Sequence, residues 1–247
     1  MVELSSFRPK ANVAIVGASG GIGRALCHTL ASCNAVQTVH ALSRTHVSFS
    51  DHAIRSTHID LQEESSIAYA SQQLCKAGEL DIVIVTTGML HQGDLQPERS
   101  MREIDGANML DILRVNTVGP ALVAKHFLPI MRRKEKSVFA ALSARVGSIR
   151  DNRLGGWVSY RASKAALNMT IKTLAIEHAR RCPDAAVVAL HPGTVATALS
   201  EPFRSRVRPN DLFGPDTSAA HLLRVIDNLT HTDTGAFLAW DGSRIPY

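Results

Sequence analysis

No stretch of this 247-residue chain is apolar for the roughly 20 consecutive residues that a membrane-crossing helix needs. The first ten residues, Met1 to Lys10, include Glu3, Arg8 and Lys10 without an apolar run, so they do not read as a secretory signal. Cysteine is scarce. The four residues, at 27, 33, 75 and 182, form no CxxC pair, which argues against a zinc site or a disulfide framework and for a reducing, cytoplasmic setting with no metal. Aromatic residues make up only 5% of the chain, leaving few platforms on which exposed bases could stack. The formal charge of +5 does not alter that conclusion. The basic residues fall in short groups, Arg132-Arg133-Lys134 and Arg180-Arg181, near expected helix ends, where cations complement the helix dipole. No nucleic-acid partner is expected. Internal repeats, low-complexity tracts and linkers are also missing, so residues 1–247 read as one domain.

What is present is an alternation of strand-length apolar runs and longer helical patterns. Val13 to Val16 is followed by a helix over Ile22 to Ala31, then by Val36 to Leu42, a helix over Ile67 to Cys75, Ile82 to Val85 and a long helical pattern over Leu110 to Met131. The series continues with Val138 to Leu142, a helix over Tyr160 to Ala179, Val187 to Leu190, a helix near Ser218 to Asn228 and a final strand near Ala236 to Trp240. Continuous apolar strands separated by helices predict an α/β chain with a doubly wound parallel sheet of about seven strands and helices on both faces. Ligands of such sheets bind at the carboxyl ends of the strands. Gly17, Arg44, Gly88, Ser143 and Pro192 follow the first five of these runs, and Asp60 is read as following a further strand, the third, between Leu42 and Ile67.

Two motifs carry chemistry. Gly17-Ala18-Ser19-Gly20-Gly21-Ile22-Gly23 lies between a strand and a helix, where glycine permits a tight turn and the approach of a pyrophosphate to backbone N–H groups; by itself it could also be a plain turn. Tyr160-Arg161-Ala162-Ser163-Lys164 places a phenol and an ammonium four residues apart, on one helix face. A cation beside a phenol favours phenolate, moving a group with an ordinary pKa of about 10 toward exchange near neutral pH. A half-buried tyrosine and a solvated lysine on an ordinary helix would show the same spacing.

Together with Asn116 and Ser143, these motifs resemble the classical short-chain dehydrogenase/reductase family over nearly the whole chain. The segments Ser143 to Ile149 and Gly155 to Arg161 look most like the subgroup related to the C-factor cell-signalling protein and small carbonyl reductases. The resemblance implies a Rossmann-type oxidoreductase that interconverts a small-molecule carbonyl and an alcohol by hydride transfer, with Tyr160 as general acid or base. Lys164 would lower the pKa of Tyr160 and hold the nicotinamide ribose, Asn116 would hold a relay water or be a plain buried, hydrogen-bonded asparagine, and Ser143 would orient the substrate oxygen. Ser143 stands one place early relative to Gly147, so the strand would need a bulge or an early end, and Ser148 is the substitute. Ser19, Gly21, Ile22, Gly23, Leu61, Pro192, Gly193, Val195 and Thr197 are the other implied cofactor contacts. Ser43-Arg44 replaces the acidic residue that would bind a free ribose hydroxyl, so NADP is expected over NAD. Asp60 would contact adenine or cap a helix. Thr86-Thr87-Gly88 stands where relatives usually have Asn-Ala-Gly. Residues 198–215, with Arg204, Arg206 and Arg208, would form a mobile, variable substrate loop whose arginines attract an anion or are merely solvated. A homodimer or homotetramer is expected through the helices bearing Asn116 and Tyr160. The alternative is a dinucleotide-binding signalling protein of the C-factor type with little or no turnover.

Overall fold

The computed structural model describes residues 2–206 and 208–247. Seven parallel strands form one sheet in the order β3-β2-β1-β4-β5-β6-β9. They are β1 (Ala11–Val16), β2 (Val36–Ser43), β3 (Ile54–His58), β4 (Ile82–Val85), β5 (Ser137–Leu142), β6 (Ala185–His191) and β9 (Phe237–Ala239). A separate two-residue ladder joins β7 (Thr194–Val195) to β8 (Leu212–Phe213). The strand order reverses between β1 and β4, which opens a crevice at their carboxyl ends.

The inner strands are largely apolar because both faces of the sheet are covered there, whereas the edge strand β3 is mostly polar and exposed. Val13 and Ile15 of β1 pack on one side with Leu26 and Leu30 of α1 (Gly21–Ala31) and Leu222 and Ile226 of α6 (Pro215–Asn228). Their neighbours Ala14 and Val16 pack on the other side with Ile67 of α2 (Glu64–Ala77), Val123 of α4 (Gly119–Phe127) and Leu167 of α5 (Val158–Ala179). A fully buried aliphatic side chain contributes about 1.5–3 kcal/mol, so these two cores hold the sheet between its helical layers. No helix among the described residues is long and apolar enough to cross a membrane.

The long helix expected over Leu110 to Met131 is divided. It runs as α3 (Gly106–Leu113), a wide π turn (Arg114–Val118), α4, and a 3-10 turn (Leu128–Ile130). Pro120 supplies the local cause, since it has no N–H to donate to the carbonyl four residues back, that of Asn116. The N–H of Gly119 bonds instead to the carbonyl of Arg114, five residues back. The segment expected as an aperiodic loop over 198–215 also has structure: 3-10 turns at Glu201–Arg206 and Pro209–Asp211, then β8.

Candidate active site

A cleft of about 510 Å³ occupies the crevice at the carboxyl ends of the strands. Gly17, Ser19, Gly21, Ile22 and Gly23 form its floor, where β1 turns into α1. Gly17 has φ +95°, and a Cβ at Gly23 would overlap the Gly17 carbonyl oxygen, so only glycine allows α1 to start this close to the strand. The first-turn N–H groups of α1 have no helical partners, and no acidic residue stands there to compete for them.

The neighbouring strand ends extend the wall. After β2, Ser43 donates its hydroxyl to the Thr45 carbonyl at 2.7 Å, and Arg44 is exposed with no ion pair among the described residues. After β3, the Asp60 carboxylate accepts the Gln62 N–H at 3.0 Å. It is therefore a turn former, and Glu63, not Asp60, is the cap position of α2. Leu61 is buried beside it. After β4, Thr86 donates its hydroxyl to the Val16 carbonyl at 2.9 Å, while the buried Thr87 Oγ1 has no partner among the described residues. Gly88 is on the wall, as are Pro192 and Thr197 after β6. Gly193 and Val195 are set back from it, with Gly193 packed under the Phe213 ring.

The chemically suggestive residues meet at the other end of the cleft. Tyr160 and Lys164, one turn apart on α5, are both buried, and the Lys164 Nζ lies 5.8 Å from the centre of the Tyr160 ring. Lys164 donates to the Leu142 carbonyl at 2.9 Å. Burial pushes the Tyr160 phenol up to about 12 and brings the Lys164 ammonium down to about 8. The expected lowering of the phenol pKa is thus outweighed in this state, since neither group is offered a compensating charge.

Ser143 lines the cleft although its backbone N–H still bonds to the Leu190 carbonyl at 2.8 Å, continuing the ladder one place past the end of β5. Its buried Oγ has no partner among the described residues. The strand ends at Leu142 and the chain turns over Arg145–Gly147, which provides the early end that the register required. Ser148 faces elsewhere, its hydroxyl accepting the Asp151 N–H at 3.1 Å.

Asn116, fully buried in the π turn, uses its side chain differently from the expected water site. Its Oδ1 accepts the Met89 N–H at 2.7 Å, and its amide donates to the Met89 carbonyl at 2.8 Å and to the Ser163 Oγ at 3.0 Å. Both amide hydrogens are spent on protein, clamping the chain after β4 to α5. The carbonyl of Asn116 loses its α-helical donor at Pro120.

The segment Met89 to Gln96, where substrate determinants are expected from the sequence, contributes four residues to the wall. Met89, Leu90, His91 and Gln92 follow Gly88 in a segment without period, and His91 Nε2 meets the Leu199 carbonyl at 3.2 Å. Two of the three loop arginines are engaged by neighbouring groups. Arg204 donates to the Thr197 carbonyl at 2.5 Å, Arg208 pairs with Asp211 at 2.7 Å, and the side chain of Arg206 lies outside the described residues. Among the described residues no cluster of His, Cys, Asp and Glu could hold a metal ion.

Comparison with known proteins places these residues in context. The sequence profile of the family described as short chain dehydrogenase matches residues 11–208. The chain is similar to the 1-hydroxy-2-glutathionyl-2-methyl-3-butene dehydrogenase of Rhodococcus sp. (strain AD45), 32% identical over 75% of this chain and 76% of that protein. It is also similar to C-signal of Myxococcus xanthus, 32% identical over 60% of this chain and 84% of that one. Among solved structures, an NADPH-bound carbonyl reductase from chicken fatty liver superposes with a TM-score of 0.85 at 25% identity, covering 98% of this chain and 96% of that chain.

Proposed function

Given that the chain belongs to the short-chain dehydrogenase family and is an NAD(P)-dependent carbonyl and alcohol oxidoreductase, we propose that it works with NADP and that Tyr160 carries the proton. The observation that supports this reading best is the juxtaposition of Tyr160, Lys164 and the unpartnered Ser143 Oγ at one end of a glycine-floored cleft. The cleft suits a dinucleotide: Gly17 and Gly23 leave no room for side chains, the start of α1 offers N–H groups to a pyrophosphate, and Arg44 is free to pair with a 2′-phosphate. Ser19, Gly21, Ile22, Ser43, Asp60, Leu61, Gly88, Pro192 and Thr197 would complete the contacts, with Gly193 and Val195 supporting them from behind.

The bound nicotinamide would supply or take the hydride. Ser143 would donate its unpartnered hydroxyl to the substrate oxygen and orient it. Tyr160, held as the neutral phenol by burial, would donate its proton to that oxygen in the reducing direction. Lys164 would stabilise the phenolate left behind, and a water held by Asn116 would bring the replacement proton in from solvent. The direct test is NADPH and NADH oxidation over a panel of ketones, aldehydes and quinones, with Tyr160→Phe as control. Turnover with NADPH that falls by about 10²-fold or more in the mutant supports the reading. Turnover that survives the mutation would falsify the acid assignment, and tight NADPH binding without any turnover would favour the signalling alternative.

We also propose that residues 1–247 act as one cytoplasmic domain, with 198–215 as its substrate loop, and that two or four copies associate. Exposed Leu110 on α3, Val118 on the π turn, and Met169 and Ile176 on α5 support association through these helices. Light scattering on the purified chain gives the copy number directly.

A further inference from the structure

Helix α5 carries Tyr160 in its first turn, yet it starts without a cap of its own. Its cap position is Trp157, at φ +53°, whose side chain makes no capping bond. Trp157 follows Gly155 and Gly156, at φ +63° and +65°, so three consecutive residues are left-handed. A bulky aromatic residue rarely adopts that conformation, and it persists only where surrounding contacts impose it.

Those contacts come from far away in sequence. Glu98, in the stretch between β4 and α3, is 5% exposed. Its backbone carbonyl accepts the Trp157 N–H at 2.6 Å. Its carboxylate accepts the Ser159 N–H, at 3.3 Å to each oxygen, and the Ser159 hydroxyl as well. Arg161 holds the same turn from the other side. Its guanidinium donates to the carbonyls of Gly155 at 3.2 Å, Gly156 at 2.9 Å and Val146 at 3.3 Å. Thus a buried carboxylate at the positive end of the helix replaces the missing cap and satisfies donors that would otherwise be orphaned. The turn it fixes carries Tyr160 and also Trp157, whose ring lies 6.3 Å from that of Tyr160 and 4.9 Å from that of Phe203.

We propose that Glu98 is a positioning residue: by capping α5 through Trp157 and Ser159 it holds the first turn of the helix, and with it the Tyr160 hydroxyl, in place for reaction. The catalytic part of this inference rests on the oxidoreductase reading; the clamp itself does not. A carboxylate is suited to the task because it accepts several bonds at once and favours a helix N-terminus, whereas a glutamine oxygen retains the acceptors without the charge.

The test compares wild type, Glu98→Ala, Glu98→Gln and Ser159→Ala in the full chain. Hydrogen exchange is followed in the peptide spanning residues 155–164, and kcat and the NADPH dissociation constant are measured with the best carbonyl of the panel. In Glu98→Ala, exchange should quicken in that peptide while the rest of α5 stays protected. In the same variant kcat should fall by about 10–100-fold, with NADPH affinity changed by less than about threefold, because a displaced proton donor affects turnover more than cofactor binding. Glu98→Gln should recover turnover to within about fivefold of wild type by keeping the acceptor oxygen. Ser159→Ala, the milder change, gives the exchange readout if Glu98→Ala does not fold. Unchanged local exchange in the folded variants overturns the clamp, and faster exchange with unchanged kcat overturns the positioning of Tyr160. Absence of turnover in the wild type would reject the oxidoreductase reading alone, and the exchange measurements would still decide the clamp.

Discussion

Replacing Gly147 by alanine tests how closely the active-site helix is packed against the strand that brings Ser143. Gly147 ends the 3-10 turn after β5, and a Cβ added there would lie 2.7 Å from the Lys164 Cβ, 2.9 Å from its backbone carbonyl carbon and 3.1 Å from the Ala165 nitrogen. Ordinary contact begins at 3.4 Å, so α5 and the turn must separate by about 0.7 Å. Two of the three obstructing atoms are backbone, so rotating a side chain cannot relieve the clash. Overpacking of this kind costs about 1–3 kcal/mol. In a chain of this size each kcal/mol moves Tm by about 2–4 °C, which sets the expected loss at about 2–12 °C. The same displacement moves Lys164 and Tyr160 away from Ser143, and a shift approaching 1 Å in a reacting constellation can cost about 10²-fold in rate. The assay is thermal unfolding together with kcat for NADPH-dependent carbonyl reduction. Gly106→Ala is the control, since nothing lies within 4 Å of its added Cβ at the start of α3. A Gly147→Ala protein with wild-type Tm and wild-type kcat would count against tight packing at this turn, because α5 would then have slack where the geometry shows none.

Two further expectations concern buried charge. Arg132→Met should destabilise the chain by about 3–5 kcal/mol in urea unfolding, because Asp81 is fully buried, pairs with Arg132 at 2.6 Å and would retain only the Asn12 N–H; a loss below about 1 kcal/mol would count against it. Lys164, whose ammonium is brought from 10.5 down to about 8 by burial, binds its proton less well folded than unfolded. Its contribution to the stability of the cofactor-free chain should therefore rise with pH between about 8 and 10.5 and be lost as pH falls through 8, while the buried Cys27 thiol, pushed from 9.0 up to about 12, opposes it above about 9. Unfolding at pH 7.5 and 9.5 should show that rise in wild type and a smaller one in Lys164→Met; equal slopes would remove Lys164 as the source.

The alternation of apolar runs and helical patterns made the doubly wound sheet legible, because a strand buried on both faces needs no polar residue and a glycine turn must separate it from the next helix. Tyr160 and Lys164 were legible for a similar reason: four residues on a helix is a local distance. The division of α3 from α4 could have been found in Pro120, whose missing N–H acts locally, but the run from Leu110 to Met131 is apolar enough to conceal it. Asp60 was read as a possible helix cap and is instead a turn former, since the short connection to Gln62 captures its carboxylate first.

The identities of the residues at successive strand ends were determined by the sequence itself, through local rules of periodicity, turn chemistry and helical spacing. How those ends act on one another emerges from the packing of distant segments. It took the fold to show that burial outweighs the neighbouring cation at Tyr160, that the Asn116 side chain is spent on Met89 and Ser163, and that Glu98 reaches across 61 positions to cap the helix carrying the phenol. Each of these depends on desolvation or on contacts between distant segments, and neither has a period or a spacing to read along the chain.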